Sequence, residues 1–206
     1  MTDQESVDEI LDGRLKICQS RQGYRFNLDS LILAHFVSSL KSRSVNLDLG
    51  CGNGIIALVL ANRYIQTRWH GLEVQDGLEM LAQKNVLLNN LERRVIIDKG
   101  DARNIKKIYK PHTFDHIVFN PPYRKLSSGR INPLAEKAIA RHEISGSLSH
   151  FLLAAKQTLR PKGRVFTIYP ATRLVELVSL FRKNSIEPKR MKLVFSDTVS
   201  DAGFVL

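Results

Sequence analysis

The sequence predicts an α/β fold in which helices cover both faces of a mostly parallel sheet. Three observations lead to this prediction. Short β-like runs alternate with segments of helical apolar spacing through most of the 206 residues. No repeat or low-complexity linker divides the chain. The 43% hydrophobic and 25% charged content is typical of a globular domain with a sizeable core. Repeated β-then-α units of this kind pack as a doubly wound sheet.

The predicted elements follow one another in a regular order. Strands are predicted at Val45–Leu49, Trp69–Val74, Val95–Asp98, Asp115–Phe119 and Arg164–Tyr169. Helices are predicted at Ile55–Tyr64, Gly77–Asn89, Ser149–Leu159 and Thr172–Asn184. Ligands of such sheets bind at the carboxyl ends of the strands, and each motif described below falls at one of those ends.

The C-terminal region predicts an antiparallel hairpin at the sheet edge. Pro188–Ser196 has the composition of a strand, a polar turn follows it, and Phe204–Leu206 begins another strand at which the sequence stops. With these two strands the expected sheet has seven strands, the last of which is truncated.

Composition excludes several classes of protein. The acidic N-terminal segment 1–12 resembles neither a secretory signal nor a transit peptide. The longest apolar run, Ile55–Ala61, is too short to span a bilayer. Cys18 and Cys51 are the only cysteines, which argues against a disulfide framework and a zinc site. We therefore expect a soluble cytoplasmic protein without a metal, a membrane partner or an indicated protein partner.

The net charge of +11 favours a polyanionic partner, because each neutralised phosphate releases condensed counterions. The basic residues are clustered at 103–110, 124–130, 156–164 and 182–192. Charge alone leaves a merely well-solvated basic surface as an equal alternative.

The first motif is a glycine-rich turn at 47–54, LDLGCGNG, between the first predicted strand and helix. Its GxGxG spacing differs from the GxGxxG of a dinucleotide fold, and no Lys-Ser/Thr pair follows to make a phosphate-binding P-loop. The glycines allow close approach of a ligand to the backbone. Asp48, two residues before Gly50, suits a cationic group such as an amino-acid ammonium. The alternative is a tight turn that binds no ligand.

Two acidic residues end the next two strands. Glu73, 25 residues after Asp48, suits the hydroxyls of a ribose. Asp101, with Ala102 after it, can accept a hydrogen bond from an adenine amino group, although aspartate is also common as a turn or helix cap. A solvated strand-end carboxylate is the alternative for Glu73.

The fourth motif, Asn120-Pro121-Pro122-Tyr123, follows the fourth strand. The two prolines fix φ and stiffen the loop. The Asn120 side-chain carbonyl and the Pro121 backbone carbonyl can together accept both hydrogens of a planar –NH2 group. Tyr123 offers a ring on which a flat base can stack. A rigid turn without a ligand is the alternative.

Together, DLGCGNG, Glu73, GDA and NPPY resemble class I S-adenosylmethionine-dependent methyltransferases that methylate amino groups. The flanking segments at 23–30, 124–133 and 140–143 resemble the bacterial tRNA1(Val) adenine-37 N6-methyltransferase family. The resemblance covers nearly the whole chain from about residue 12. It implies a Rossmann-like fold whose last strand extends beyond Leu206, and an enzyme that methylates adenine N6 in tRNA.

The resemblance also implies roles for individual residues. S-adenosylmethionine, which becomes S-adenosylhomocysteine, is expected to contact Tyr24, Phe26, Asp48, Gly50, Cys51, Gly52, Asn53, Gly54, Glu73, Val74, Asp101, Ala102 and Asn120. The target adenine is expected at Asn120, Pro121, Pro122 and Tyr123. RNA contacts are expected at Arg124, Lys125, Arg130 and Arg141. Residues 1–44 are expected to form a segment that covers the cofactor, and residues 45–206 the methyltransferase domain.

Other functions share some of these features. A protein glutamine N5-methyltransferase of the release-factor type must also bind a planar –NH2 group, that of a side-chain amide. That family, however, carries a larger helical N-terminal domain. A guanine-N2 rRNA methyltransferase is compatible with NPPY. An RNA-binding module with a vestigial cofactor pocket is the non-enzymatic alternative.

Overall fold

The predicted α/β class is confirmed by a computed structural model, which describes residues 5–23, 25–123 and 147–206. The central sheet is parallel throughout and has the strand order β5-β4-β3-β6-β7. These strands are β3 (Val45–Leu49), β4 (Arg68–Glu73), β5 (Val95–Lys99), β6 (Phe114–Phe119) and β7 (Leu159–Thr167).

Helices cover both faces of this sheet, as the alternating pattern predicts. They are α1 (Leu28–Phe36), α2 (Ile55–Arg63), α3 (Asp76–Leu88), α4 (Leu148–Thr158) and α5 (Leu174–Lys183). Buried residues of α1 and α2 share one apolar core with Val86 of α3, and those of α4 and α5 share another. Leu78 and Leu81 of α3 pack with Cys18 in a smaller cluster. Among the described helices, none combines the length and apolar character that a membrane span requires.

The C-terminal strands form a small sheet of their own instead of completing one seven-stranded sheet. They are β8 (Tyr169–Pro170), β9 (Leu193–Val194) and β10 (Phe204–Val205), in the order β8-β10-β9. The predicted antiparallel pairing of the last two strands is confirmed. The strand predicted over 188–196 shrinks to two residues. Its first half contains Pro188, which cannot donate to a ladder, and Arg190, whose guanidinium lies 4.0 Å from the Phe36 ring centroid.

An N-terminal hairpin and α1 were not among the predicted elements. The hairpin pairs β1 (Glu5–Ile10) with β2 (Leu15–Ser20) in antiparallel register. The acidic composition of β1 concealed its alternation. The available signal was Asp12-Gly13, which is typical of hairpin turns because both residues tolerate positive φ; here φ is 56° at Asp12 and 77° at Gly13.

Two asparagines of α3 attach the hairpin to the rest of the fold. Asn85 accepts a hydrogen bond from the Cys18 N–H (2.6 Å) and donates to the Cys18 and Asn53 carbonyls (both 3.0 Å). One turn later, Asn89 makes the same pair of bonds with the Lys16 N–H and carbonyl (2.8 and 2.7 Å). Residues four apart on a helix thus pair with residues two apart on a strand. The two asparagine side chains thus hydrogen-bond to the backbone of β2 as a neighbouring strand would.

Replacing Asn85 by alanine is expected to lower the free energy of unfolding by about 3 kcal/mol, because three buried backbone groups lose their partner. Urea unfolding measures this change. Asn104→Ala, at an exposed position, is the matched control and is expected to change stability by less than about 0.5 kcal/mol. Equal effects of the two substitutions would show that the buried bonds do not stabilise the fold.

Candidate active site

The loops that follow four neighbouring strands form one cleft at the carboxyl edge of the sheet. The empty space within it is about 780 Å³, a volume that includes its open mouth. It lies where the strand order reverses between β3 and β6, the position at which doubly wound sheets bind ligands. The lining residues are Ser30, Gly50, Cys51, Gly52, Asn53, Ile55, Ile56, Leu72, Glu73, Val74, Gln75, Leu78, Gly100, Ala102, Asn120, Pro122 and Phe151.

The glycine-rich turn bends tightly from β3 into α2. Gly50 has φ +74°, and a Cβ there would lie 3.0 Å from the Phe151 ring. Its N–H donates to the Leu72 carbonyl at 2.8 Å, which ties the turn to β4. Gly54 caps α2 with φ +85°. These two conformations explain why the turn requires glycine, and they leave the backbone of this loop open to the cleft.

Asp48 lies fully buried below this turn. One carboxyl oxygen accepts the Ala57 N–H at 3.1 Å, and the other has no hydrogen-bond partner within the described part of the chain. Burial raises the pKa of Asp48 from 3.8 to about 7; the Ala57 bond opposes the shift and the nearby Glu73 adds to it. An unpaired buried acceptor of this kind favours a cationic or hydrogen-bond-donating ligand.

Asp48→Asn is expected to flatten the pH dependence of stability. A raised folded-state pKa means that the folded chain binds the proton more tightly, so the free energy of unfolding falls as the pH rises from about 4 through about 7. The asparagine removes this loss, and its carbonyl can keep the Ala57 bond. Between pH 5 and 8 we expect the variant to lose about 2 kcal/mol less than the parent in urea unfolding.

The control for this measurement is Asp197→Asn. The hydrogen bond from Ser200 lowers the pKa of Asp197 to about 2, so its contribution to stability is lost only as the pH falls below the ordinary aspartate value. Its removal is expected to leave the slope between pH 5 and 8 unchanged. An unchanged slope in Asp48→Asn would show that Asp48 is already ionised at pH 5.

Glu73 ends β4 and organises two loops. Its Oε2 accepts the Gly52 N–H, and its Oε1 accepts the Val74 and Gln75 N–H groups, all at 2.9 Å. The side chain is 5% exposed, and burial raises its pKa while these three bonds oppose the shift. A carboxylate has about four acceptor positions, so Glu73 can still accept one bond from a ligand in the cleft.

Cys51 fills space beside this turn. Burial raises the pKa of its thiol well above the ordinary value, and the Asp48 and Glu73 carboxyls raise it further. A Cβ at Gly71 would lie 2.9 Å from the Cys51 sulfur, so the strand behind it is shaped to receive the side chain. A protonated, enclosed thiol is a packing group and a poor nucleophile.

The loop after β5 contributes Gly100 and Ala102 to the cleft. The Asp101 carboxyl accepts the Arg103 N–H at 2.8 Å and forms a two-pronged ion pair with the Arg103 guanidinium, with bonds of 2.5 and 2.9 Å. Asp101 therefore caps the turn that begins at Ala102.

Asn120 and Tyr123 lie at the two ends of the loop that follows β6. The Asn120 amide nitrogen donates to the Ser30 hydroxyl at 3.4 Å, while its carbonyl oxygen is buried with no partner among the described residues. The Tyr123 hydroxyl donates to Asp29 at 2.7 Å, and its backbone carbonyl accepts from Arg173 at 2.7 Å. The loop thus carries an unpaired buried acceptor at its first residue, Asn120, which lines the cleft, and two hydrogen bonds hold its last residue, Tyr123.

The structure brings many of the sequence-predicted residues together, but not all of them. The cleft is lined by Gly50, Cys51, Gly52, Asn53, Glu73, Val74, Ala102, Asn120 and Pro122. Six others are not among the lining residues: Phe26, Asp48, Gly54, Asp101, Pro121 and Tyr123. Tyr24, Arg124, Lys125, Arg130 and Arg141 fall outside the described residues.

Sequence reasoning missed several residues that shape the cleft. Phe151 of α4 and Ser30 of α1 line it; no motif marked Phe151, and Ser30 belongs to the segment 23–30 but was given no role of its own. Gln19 is 2% exposed; its carbonyl accepts the Phe26 N–H at 3.0 Å and the Asn53 amide at 3.4 Å. It links the hairpin to the glycine-rich turn. A buried glutamine inside a strand was the available signal, but only once β2 is recognised.

Solved structures of other proteins share this fold. A predicted O-methyltransferase from Agrobacterium tumefaciens superposes with a TM-score of 0.66 at 16% identity, over 86% of this chain and 77% of that one. M. jannaschii TYW2 in complex with AdoMet gives 0.65 at 15% identity, over 100% of this chain and 84% of that one. The fold is that of a Rossmann-like class I methyltransferase.

The chain belongs to the methyltransferase small domain family, whose sequence profile matches residues 26–176. A tRNA1(Val) (adenine(37)-N6)-methyltransferase from Porphyromonas gingivalis is 31% identical over 169 residues, covering 80% of this chain and 66% of the relative. A protein of the same name from Vibrio vulnificus is 27% identical, covering 77% of this chain and 64% of the relative. The chain thus matches slightly less than two thirds of the length of these relatives.

Proposed function

We propose that this chain transfers a methyl group from S-adenosylmethionine to the exocyclic N6 amino group of an adenine in tRNA, in the cytoplasm. The observation that carries the proposal is the Asn120 carbonyl oxygen. This oxygen is buried and has no partner in the described ranges, and Asn120 is among the residues that line the cleft. The relatives from P. gingivalis and V. vulnificus, named for position 37 of tRNA1(Val), support adenine in that tRNA as the substrate.

The polar and apolar groups at the cleft fit this cofactor. Unpartnered buried oxygens of Asp48 and Asn53 suit the ammonium of the methionine portion. Glu73 suits ribose hydroxyls, and the apolar residues Leu72, Val74 and Leu78 suit a flat base. When bound, S-adenosylmethionine supplies a methyl group already activated on a sulfonium. Residues 1–44, with Tyr24 and Phe26, are proposed to cover the methionine end.

Asn120 and Pro121 are proposed to orient the target nitrogen. The lone pair of an adenine N6 is delocalised into the ring, so the nitrogen is a poor nucleophile. Acceptance of its two hydrogens by the Asn120 side chain and the Pro121 carbonyl favours a tetrahedral nitrogen whose lone pair points towards the donor. Catalysis then consists mainly of positioning and electrostatic matching, and the proton leaves after transfer.

RNA is proposed to approach the cleft along the segment that follows Tyr123. Arg124, Lys125, Arg130 and Arg141 give this segment its basic character, and the net charge of +11 agrees with a polyanionic substrate. An adenine in a folded RNA must leave its stack to reach the cleft.

The test is methylation of total tRNA from a strain that lacks the modification, followed by nucleoside mass spectrometry. N6-methyladenosine in tRNA is the expected product. N2-methylguanosine in rRNA, or methylglutamine in a release factor without an RNA product, would overturn the proposal. Calorimetric titration that shows no binding of S-adenosylmethionine would overturn it in favour of an RNA-binding module.

A further inference from the structure

Adjacent residues at the start of α1 contact both ends of the loop from Asn120 to Tyr123. Asp29 accepts the Tyr123 hydroxyl at 2.7 Å, and the Ser30 hydroxyl accepts the Asn120 amide at 3.4 Å. The two helix residues are 8% and 3% exposed, so both contacts are shielded from water. α1 and the loop are about 90 residues apart in sequence. Neither contact belongs to the regular hydrogen bonding of a helix or strand.

We propose that Asp29 and Ser30 are positioning residues that set the orientation of the acceptor loop; this inference rests on the proposed function. An amide side chain can present either its oxygen or its nitrogen to a cleft. Ser30 accepts from the Asn120 nitrogen, while the buried carbonyl oxygen has no partner among the described residues. The amide thereby keeps an unpaired acceptor, the group that a target –NH2 requires.

Asp29 fixes the other end of the loop. Its Oδ2 also accepts the Asn27 amide at 2.7 Å, which holds the carboxyl group in place. Tyr123 is further confined by the Arg173 bond to its carbonyl and by edge contacts with Tyr169 and Phe204, at centroid distances of 6.4 and 5.9 Å. The Tyr123 ring therefore has one defined orientation. The Pro121-Pro122 pair transmits this orientation to Asn120, because both residues have restricted φ.

The kinetic test compares Asp29→Asn and Ser30→Ala with the parent. We expect kcat for tRNA methylation to fall about tenfold in Asp29→Asn and about fivefold in Ser30→Ala. The Kd for S-adenosylmethionine and the KM for tRNA are expected to stay within about twofold. Asp201→Asn, at an exposed position outside residues 1–44 and outside the cleft, is the matched control and keeps the parental kcat. An unchanged kcat in both variants, with an active parent, would overturn the inference.

Double variants separate positioning from a general structural role. If Asp29 acts through the Tyr123 hydroxyl, Asp29→Asn adds less than about twofold in a Tyr123→Phe background. Likewise, Ser30→Ala adds less than about twofold to Asn120→Ala. Fully multiplicative losses, or a similar loss of cofactor affinity, would overturn the inference.

NMR spectroscopy, which needs no methyl transfer, tests the loop orientation separately from the proposed function. The side-chain amide resonances of Asn120 are identified by their loss in Asn120→Ala. They are expected to shift beyond their linewidth in Ser30→Ala and to stay in place in Asp201→Asn. Resonances that do not move would overturn the inference. Shifted resonances in a parent that forms no N6-methyladenosine would overturn the proposed function and leave the loop orientation supported.

Discussion

Replacing Asn120 by alanine is expected to lower kcat for tRNA methylation about 1,000-fold. The substitution removes the unpaired acceptor of a side chain that lines the cleft, and with it the bond that is proposed to orient the target nitrogen. The Kd for S-adenosylmethionine is expected to rise less than about fivefold, because Glu73 and the glycine-rich turn are untouched. Single-turnover methylation followed by nucleoside mass spectrometry measures the rate, and calorimetry the affinity.

Asn120→Asp tests whether the rate of methylation depends on a hydrogen-bond acceptor at residue 120. A carboxylate has the same outline and accepts hydrogen bonds at both oxygens, so this variant is expected to be at least about tenfold faster than Asn120→Ala. Asn104→Ala, at an exposed position outside the cleft, is expected to match the parent. Equal rates for Asn120→Ala and the parent would mean that the loop does not orient the substrate.

Local periodicity was sufficient to predict the central fold. The strand β3 coincides with the predicted Val45–Leu49, and α2 differs from its prediction by one residue. The helix α2 carries a continuous apolar run, and β3 alternates apolar residues with the buried polar residues Asn46 and Asp48, so each has a clear local pattern. The N-terminal hairpin escaped prediction because it is stabilised by distant side chains. Asn85 pairs with Cys18 across 67 residues, and nothing in either local sequence indicates that bond.

The same limit applies to the cleft. Its backbone features are visible in the sequence, because the glycine spacing and the NPPY run restrict φ and ψ locally. Ser30 and Phe151 reach the cleft only through the packing of α1 and α4. The Asp101 carboxyl, predicted to face an adenine, is engaged by Arg103 two residues away. The local capping preference of aspartate accounts for this geometry, and contact with an adenine stays a prediction.

Replacing Glu73 by alanine is expected to raise the Kd for S-adenosylmethionine at least about 100-fold and to lower the free energy of unfolding by about 3 kcal/mol. The carboxyl group is the common acceptor of the Gly52, Val74 and Gln75 N–H groups. Its loss therefore uncouples the glycine-rich turn from the loop after β4 and also removes the proposed partner of the ribose hydroxyls. Calorimetric titration and urea unfolding measure the two effects.

Glu73→Gln separates these two roles. A glutamine carbonyl can replace Oε1 and accept the Val74 and Gln75 N–H groups, but its –NH2 then opposes the Gly52 N–H where Oε2 had accepted it. Stability is therefore expected to fall by only about 1 kcal/mol, while the Kd still rises about tenfold or more. Glu92→Ala, at an exposed position, is expected to change neither quantity. If the loss of binding free energy follows the loss of unfolding free energy in strict proportion across the Glu73 variants, the carboxyl group only holds the loops together. If the binding free energy falls far more, the carboxyl group contacts the ligand directly. The position of Glu73 at the end of β4 then serves binding as well as folding.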